Sequence, residues 1–422
     1  MSYFNDRNGE LHAEGIALSE IADAVGTPVY VYSSAALSDA YTRFAGALAA
    51  EGLNARVCYA MKANSNIAVL RTLATLGAGA DVVSGGELER ALAVGIAPEH
   101  IVFSGVGKTR AEMRQAISAG IGQFNIESIP ELEALSDSAH DLGVEVDIAI
   151  RVNPNVDANT HHKISTGRQE DKFGIDIARA TQVYEFARGL PGIVPASVAV
   201  HIGSQLTDLA PFRAAFTHVA SLVAELLESG FDIRKLDLGG GLGIDYGYAT
   251  PPPVEDYAKV VAETVGALNC ELIFEPGRYI AGPAGVLVTR VIYAKEAGVR
   301  RFAIVDAAMN DLIRPALYDA VHRIETVRIP GAGDGIFDWD VVGPVCETGD
   351  TFATGCQLPH LHPGELLVIR DAGAYGSVMS SVYNSRALVA EVLVRDDAFA
   401  VVRERQEPAI FLGYETLADW QD

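Results

Sequence analysis

Eight times between Arg56 and Glu275, a short apolar or β-branched run gives way to a polar or glycine-rich cluster. The first run, Val57-Cys58-Tyr59-Ala60-Met61, ends at Lys62. Four more end at Ser84, Ser104, Glu127 and Asn153, and the last three at His201, at Gly239-Gly240-Gly241 and at Glu275. Runs of this length between turn residues read as strands buried on both faces. Helical patterns separate them, as in Glu87–Ala93, Ala111–Ala119 and Phe212–Glu228. Such alternation predicts a parallel sheet, and eight units predict a closed (β/α)8 barrel with its chemistry at the carboxyl ends of the strands.

The barrel pattern spans residues 34–281. Before it, residues 1–33 hold a polar lead, a short helix over Leu18–Val25 and a strand over Val29–Tyr32. After it, residues 282–422 change texture. Val286–Tyr293, Arg301–Val305, Ile324–Ile329, Glu365–Ile369, Leu388–Val394 and Phe399–Arg403 read as strands with little helix between them. That predicts a second, mostly antiparallel β domain of Greek-key or sandwich type, made from 282–422 with 1–33. The segment from Pro154 to Arg179 is longer than the other strand-to-helix connections and rich in Asn, His, Lys and Gly. At the active face of a barrel such a loop is expected to be a lid.

Composition narrows the partners. With 32 Lys and Arg against 55 Asp and Glu, the chain carries −23 charges, which argues against nucleic acid or an anionic membrane. No apolar run is long enough for a membrane span, and the start lacks the apolar stretch of a signal peptide. The four cysteines show no C-x-x-C spacing. A reduced, cytoplasmic protein without a metal centre is the expectation.

The strand ends carry the candidate chemistry. A lysine there, such as Lys62, loses hydration and can form a Schiff base with an aldehyde; alone it would read as a solvated surface residue. The run Gly239-Gly240-Gly241-Leu242-Gly243 falls where barrels commonly place a phosphate, although by itself it is equally a strand-to-helix turn. Glu275-Pro276-Gly277-Arg278 fits a tight turn, yet also offers a carboxylate for a ring nitrogen and a guanidinium fork for an anion. A lysine, phosphate donors and a pyridinium partner together are what pyridoxal phosphate requires. His201 is a rim residue or a ring to cover an aromatic cofactor. In the second domain, Arg314 and Tyr318 stand four apart in a short helical turn and share a face. Cys346-Glu347 and Asp371–Gly376 read as loops. Cys346 would be inert in a core strand but a proton donor beside a cofactor.

These residues in this order resemble the pyridoxal-phosphate-dependent decarboxylases of alanine-racemase fold. Tyr59–Asn64, His201–Gln205, the Gly239–Gly243 run and Glu275–Arg278 carry the likeness. His162–Gly167, Met309–Tyr318, Cys346–Asp350 and Tyr383–Arg386 make the chain similar to the diaminopimelate decarboxylase family, with Thr348 where that family often has serine.

The resemblance implies decarboxylation of meso-diaminopimelate to L-lysine and carbon dioxide, the last step of lysine biosynthesis. It implies Lys62 as the Schiff-base lysine, Glu275 at the pyridinium, His201 stacked on the ring and Asp81 orienting the group. Ser204, Gly240, Gly241, Gly277, Arg278 and Tyr375 would surround the phosphate or bridge it to substrate. Arg278, Arg314 and Tyr318 would hold the distal carboxylate, Glu347 the distal ammonium, and Cys346 would protonate the carbanion. Cys346 and Glu347 would come from a neighbouring subunit in a homodimer. A distal end bearing both an anion and a cation needs a fork-shaped donor and a carboxylate, which Arg314 and Glu347 supply. An arginine there would repel the cationic tail of ornithine or arginine. The competing expectations are a related decarboxylase for arginine, ornithine or carboxynorspermidine, and a non-catalytic pyridoxal phosphate carrier.

Overall fold

The computed structural model describes residues 3–156, 172–331 and 333–421. The chain divides into two compact units, one of 1–37, 246–248 and 281–422, the other of 38–245 and 249–280.

The second unit is the barrel. Its strands are, in order, Ala55–Ala60, Gly79–Val82, Ile101–Phe103, Gln123–Ile126, Val146–Asn153, Ile193–Val200, Lys235–Asp237 and Glu271–Phe274. Each pairs in parallel with its neighbours, and the eighth pairs with the first, so the sheet closes as the alternating pattern predicts. The strand interiors are buried on both faces, which is why they read as continuous apolar runs. Polar residues at or shortly after the ends of those runs serve the helices. Ser84 accepts from Glu87 N–H to cap Gly85–Ala93, and Ser128 accepts from Glu131 N–H to cap Ile129–Leu142. Thr109 and Glu112 form a capping box for Arg110–Ala119.

Part of the expected lid departs from a plain loop. Ile175–Asp176 adds a short parallel strand beside Val152 and Asn153, followed by a 3-10 turn over Ile177–Arg179. The motif His162–Gly167 and the middle of that segment lie outside the described residues.

The first unit centres on a mostly antiparallel sheet. Its strands run Thr351–Pro359, Ile336–Val342, Arg300–Val305, Gly285–Ala297, Val29–Ser33, Ala390–Arg395, Ala398–Arg403 in spatial order. Leu366–Ile369 pairs with both Gly285–Ala297 and Ile324–Thr326. Two pairs are parallel: Val29–Ser33 with Ala390–Arg395, and Arg300–Val305 with Ile336–Val342. Val29–Ser33 therefore lies in the middle of the sheet, wholly buried. Val29 and Val31 join a core with Val286, Val288, Val368 and Val392. The alternate residue Tyr30 donates from its hydroxyl to Asp311 O at 2.7 Å.

Two features differ from expectation. The polar lead is a small antiparallel meander of Phe4–Arg7, Glu10–Ala13 and Ile16–Ala17. The strands Ile336–Val342 and Thr351–Pro359 escape the apolar-run criterion because polar residues such as Asp338, Asp340 and Gln357 interrupt them. No helix among the described residues is long and apolar enough to cross a membrane.

Candidate active site

At the end of the first barrel strand the chain tightens into a 3-10 turn, Met61–Ala63, that carries Lys62. The Lys62 ammonium donates to Asp81 Oδ2 at 2.7 Å from the second strand. Asp81 is fully buried, whereas a third of the lysine side chain is exposed. The other Asp81 oxygen, Oδ1, is buried with no hydrogen-bond partner among the described residues.

His201, at the end of the sixth strand, accepts from Gly240 N–H at its Nδ1, 3.1 Å away. Nδ1 is thus an acceptor, and the neutral ring carries its hydrogen on Nε2. Loss of solvent pulls the imidazole well below the ordinary histidine range, helped by the nearby cations of Arg151 and Lys62.

The glycines are close-approach positions. A Cβ at Gly240 would stand 2.3 Å from Glu275 O, and one at Gly241, whose φ is +112°, 2.6 Å from Gly203 O. At Gly277 it would meet Ala63 Cβ at 2.9 Å and Ala60 Cβ at 3.1 Å, the last residue of the lysine turn and the one just before it. Arg278, also buried, donates from both Nε and NH2 to Ser204 Oγ, at 3.3 and 3.0 Å. The barrel thus brings Lys62, Asp81, His201, Ser204, Gly240, Gly241, Glu275, Gly277 and Arg278 to the ends of its first, second, sixth, seventh and eighth strands.

Glu275 is buried, and desolvation lifts its carboxyl well above the carboxylate range. The neighbouring Asp237 and Asp81 raise it further, while Lys62 opposes them. Sequence reasoning missed the groups beneath it. Asp237 is buried in the seventh strand and pushed up to about 6 by desolvation. Asn125 and Ser104 reach the Glu275 carboxyl at 3.4 Å each. Also missed was the Arg151–Glu127 pair at 2.8 Å, whose arginine donates a longer 3.4 Å bond to His201 O.

The donor set fits pyridoxal phosphate. An amine beside an anchored carboxylate suits an aldehyde, and a buried acid suits a basic ring nitrogen. Backbone approaches too close for side chains, with an arginine alongside, suit a phosphate.

The remaining expected residues belong to the other unit. Arg314 begins the short helix Arg314–Tyr318 and is buried rather than solvated. It donates to His322 Nε2 at 2.8 Å, and its guanidinium lies over the Tyr246 ring, 4.7 Å from the centroid. Because a guanidinium only donates, His322 Nε2 is the acceptor and its Nδ1–H donates to Arg370 O at 2.8 Å. His322 and Tyr246 therefore orient Arg314, and neither was singled out from sequence. Tyr318, at the end of the same helix, is half-buried. Cys346 and Glu347 lie in an exposed loop, not a core strand. Asp350 gathers that loop by accepting from Met309 and Val345 N–H, each at 2.7 Å. Asn384 Oδ1 accepts from Cys346 N–H at 3.2 Å, and Tyr383 is hydrogen-bonded to Glu347. Tyr375 sits in the left-handed region at φ 56°. In the same loop, a Cβ at Gly373 would fall within 2.0 Å of Ala281 O.

Residues 35–282 match the family described as pyridoxal-dependent decarboxylase, pyridoxal binding domain. The chain is 52% identical, over 99% of both sequences, to the diaminopimelate decarboxylase of Pseudomonas fluorescens. It superposes on the crystal structure of the Helicobacter pylori enzyme complexed with L-lysine with a TM-score of 0.90, at 42% identity and covering 94% of this chain and 98% of that one. For the M. jannaschii enzyme, also in complex with L-lysine, the TM-score is 0.93 at 36% identity, covering 98% of each chain. Likeness of this extent, over a barrel rim built for an aldehyde coenzyme, places the chain in the diaminopimelate decarboxylase family of pyridoxal-phosphate-dependent carboxy-lyases.

Proposed function

We propose that the chain removes one carboxylate of meso-diaminopimelate as carbon dioxide, adds a proton at the same carbon and releases L-lysine, closing a lysine biosynthetic route. The observation that carries this reading is the Lys62–Asp81 pair at 2.7 Å on the rim that also holds the buried Glu275 and the Arg278–Ser204 contact. Bound pyridoxal phosphate supplies a sink for the electron pair left when carbon dioxide departs.

The chain's own groups do the rest. Lys62 holds the coenzyme, and Asp81 keeps the amine aimed. Glu275 presents an acid to the ring nitrogen. His201, neutral, covers the ring without adding charge. The Gly240, Gly241 and Gly277 backbone, with Ser204, Arg278 and Tyr375, accommodates the phosphate.

Substrate recognition is assigned to Arg314 and Tyr318, with Arg278, for the distal carboxylate and to Glu347 for the distal ammonium. Cys346 donates the proton to the carbon that lost carbon dioxide. Cys346 and Glu347 act from the partner subunit of a homodimer, and their exposure supports that reading. The protein works in the cytoplasm.

Carbon dioxide release across a panel of meso-diaminopimelate, lysine, ornithine, arginine and carboxynorspermidine tests the assignment, with Lys62→Ala alongside. Turnover of meso-diaminopimelate alone, abolished in Lys62→Ala, is expected. Preference for ornithine or arginine, or activity surviving in the variant, overturns it. Sedimentation of the native chain at micromolar concentration tests the dimer, which a monomeric active enzyme would exclude.

A further inference from the structure

Beneath Glu275 lies a layer of polar side chains that the reaction scheme above does not use. Asp237 is buried inside the barrel; its Oδ1 accepts from Gly239 N–H at 2.9 Å, and its Oδ2 accepts from Asn125 Nδ2 at 2.8 Å. The same Asn125 amide nitrogen reaches Ser104 Oγ at 3.1 Å and Glu275 Oε1 at 3.4 Å. Gln123 donates to Asn125 Oδ1 at 2.8 Å, which fixes which end of the amide faces the acids. The Asp237 and Glu275 carboxyl groups thus flank a single amide nitrogen inside the barrel, where each acid is buried. Two carboxylates this close and this buried repel each other too strongly to ionise together, so the pair retains a proton.

We propose that Asp237 is a positioning residue for Glu275: locked by Gly239 and Asn125, it shares one proton with Glu275 and thereby fixes where that acid lies and what charge it carries. The other charged groups facing Glu275 are Asp81 from the second strand and Lys62 from the turn after the first. They act in opposite directions, Asp81 raising the Glu275 carboxyl and Lys62 lowering it, whereas Asp237 shares the Asn125 amide with it. With pyridoxal phosphate bound, Glu275 would face the ring nitrogen as the ionised member of the pair, the shared proton resting on Asp237. Asp237, as the neutral partner, then donates to Glu275 and holds it in place. The role toward the coenzyme rests on the function proposed above; the shared proton does not.

The test is a carboxyl titration followed by 13C resonances of labelled Asp and Glu side chains in the full, coenzyme-free chain, with Glu275→Gln and Asp237→Asn used for assignment. In the unaltered protein both resonances are expected to move in two steps at common pH values, the behaviour of a coupled pair. Two independent single-step curves overturn the proposal. In Asp237→Asn the Glu275 midpoint is expected to fall by about one pH unit or more, since a like charge and its proton are gone. An unchanged midpoint also overturns it. Carbon dioxide release from the same unaltered preparation, after pyridoxal phosphate is added back, separates the two ideas. An inactive chain with a coupled pair defeats the assigned reaction and upholds the shared proton; an active chain with independent acids does the reverse.

Discussion

Lys62 Nζ rests 2.7 Å from Asp81 Oδ2, and the other Asp81 oxygen is buried without a hydrogen-bond partner among the described residues. The carboxylate is thus held by the lysine on one side, and removing it frees the lysine from that acidic contact. Asp81→Ala is expected to lower kcat/KM by about 100-fold, the scale of a misplaced reacting group, and to weaken coenzyme binding. Steady-state kinetics and coenzyme titration by absorbance check both; unaltered kinetics would remove Asp81 from the site.

Gly240 offers a steric test. A methyl group there would stand 2.3 Å from Glu275 O, which is backbone and cannot swing away. Gly240→Ala is expected to destabilise the fold by about 1–3 kcal/mol and to displace Glu275 and the His201 contact together. Urea unfolding and coenzyme affinity measured on one preparation should both decline.

Lys108 is a buried cation with three acceptors: Gly105 O at 2.8 Å, Asn125 O at 2.6 Å and Glu131 Oε1 at 2.6 Å. Its side chain is 1% exposed. Lys108→Met removes the charge and leaves Glu131 buried and unpaired, a change that costs about 3–5 kcal/mol. Urea unfolding checks it, and a variant as stable as the parent would mean that Glu131 simply takes up a proton.

Asp311 predicts a pH dependence in the other unit. Burial pushes its carboxyl up from 3.8 to about 7, so the folded state holds a proton there that the unfolded chain releases near 4. The sign follows: its contribution is full below pH 3.8 and is lost as pH rises through about 7. The gap amounts to roughly 4 kcal/mol. Asp311→Asn should therefore lose less stability than the parent between pH 4 and pH 8. Thermal midpoints across that range provide the comparison, and parallel curves would count against the shift.

The barrel strands were legible because parallel strands covered on both faces spell uninterrupted apolar runs, and Lys62, His201, the glycines and Glu275 interrupt them at the ends. Gln123, Asn125 and Asp237 were not, because each lies within a run rather than in the polar cluster that ends it. Their spacing held a signal. Gln123 and Asn125 are two apart on one strand and so point to the same side, where Asp237 meets them. Ser84, by contrast, stood at a strand end and proved to be a helix cap. His322 and Tyr246, which orient Arg314, lie 8 and 68 residues from it and had no local pattern to betray them. Ile336–Val342 was missed because Asp338 and Asp340 break its apolar run.

The N-terminal strand Val29–Ser33 lies between Gly285–Ala297 and Ala390–Arg395. A ribosome therefore delivers this piece long before either neighbour exists, and some 250 residues must emerge before it finds the first of them. Until then its valines and tyrosines wait uncovered, so this stretch is the natural client for a chaperone during synthesis. Trimming the leader as if it were dispensable would take the keystone out of the sheet rather than tidy an edge.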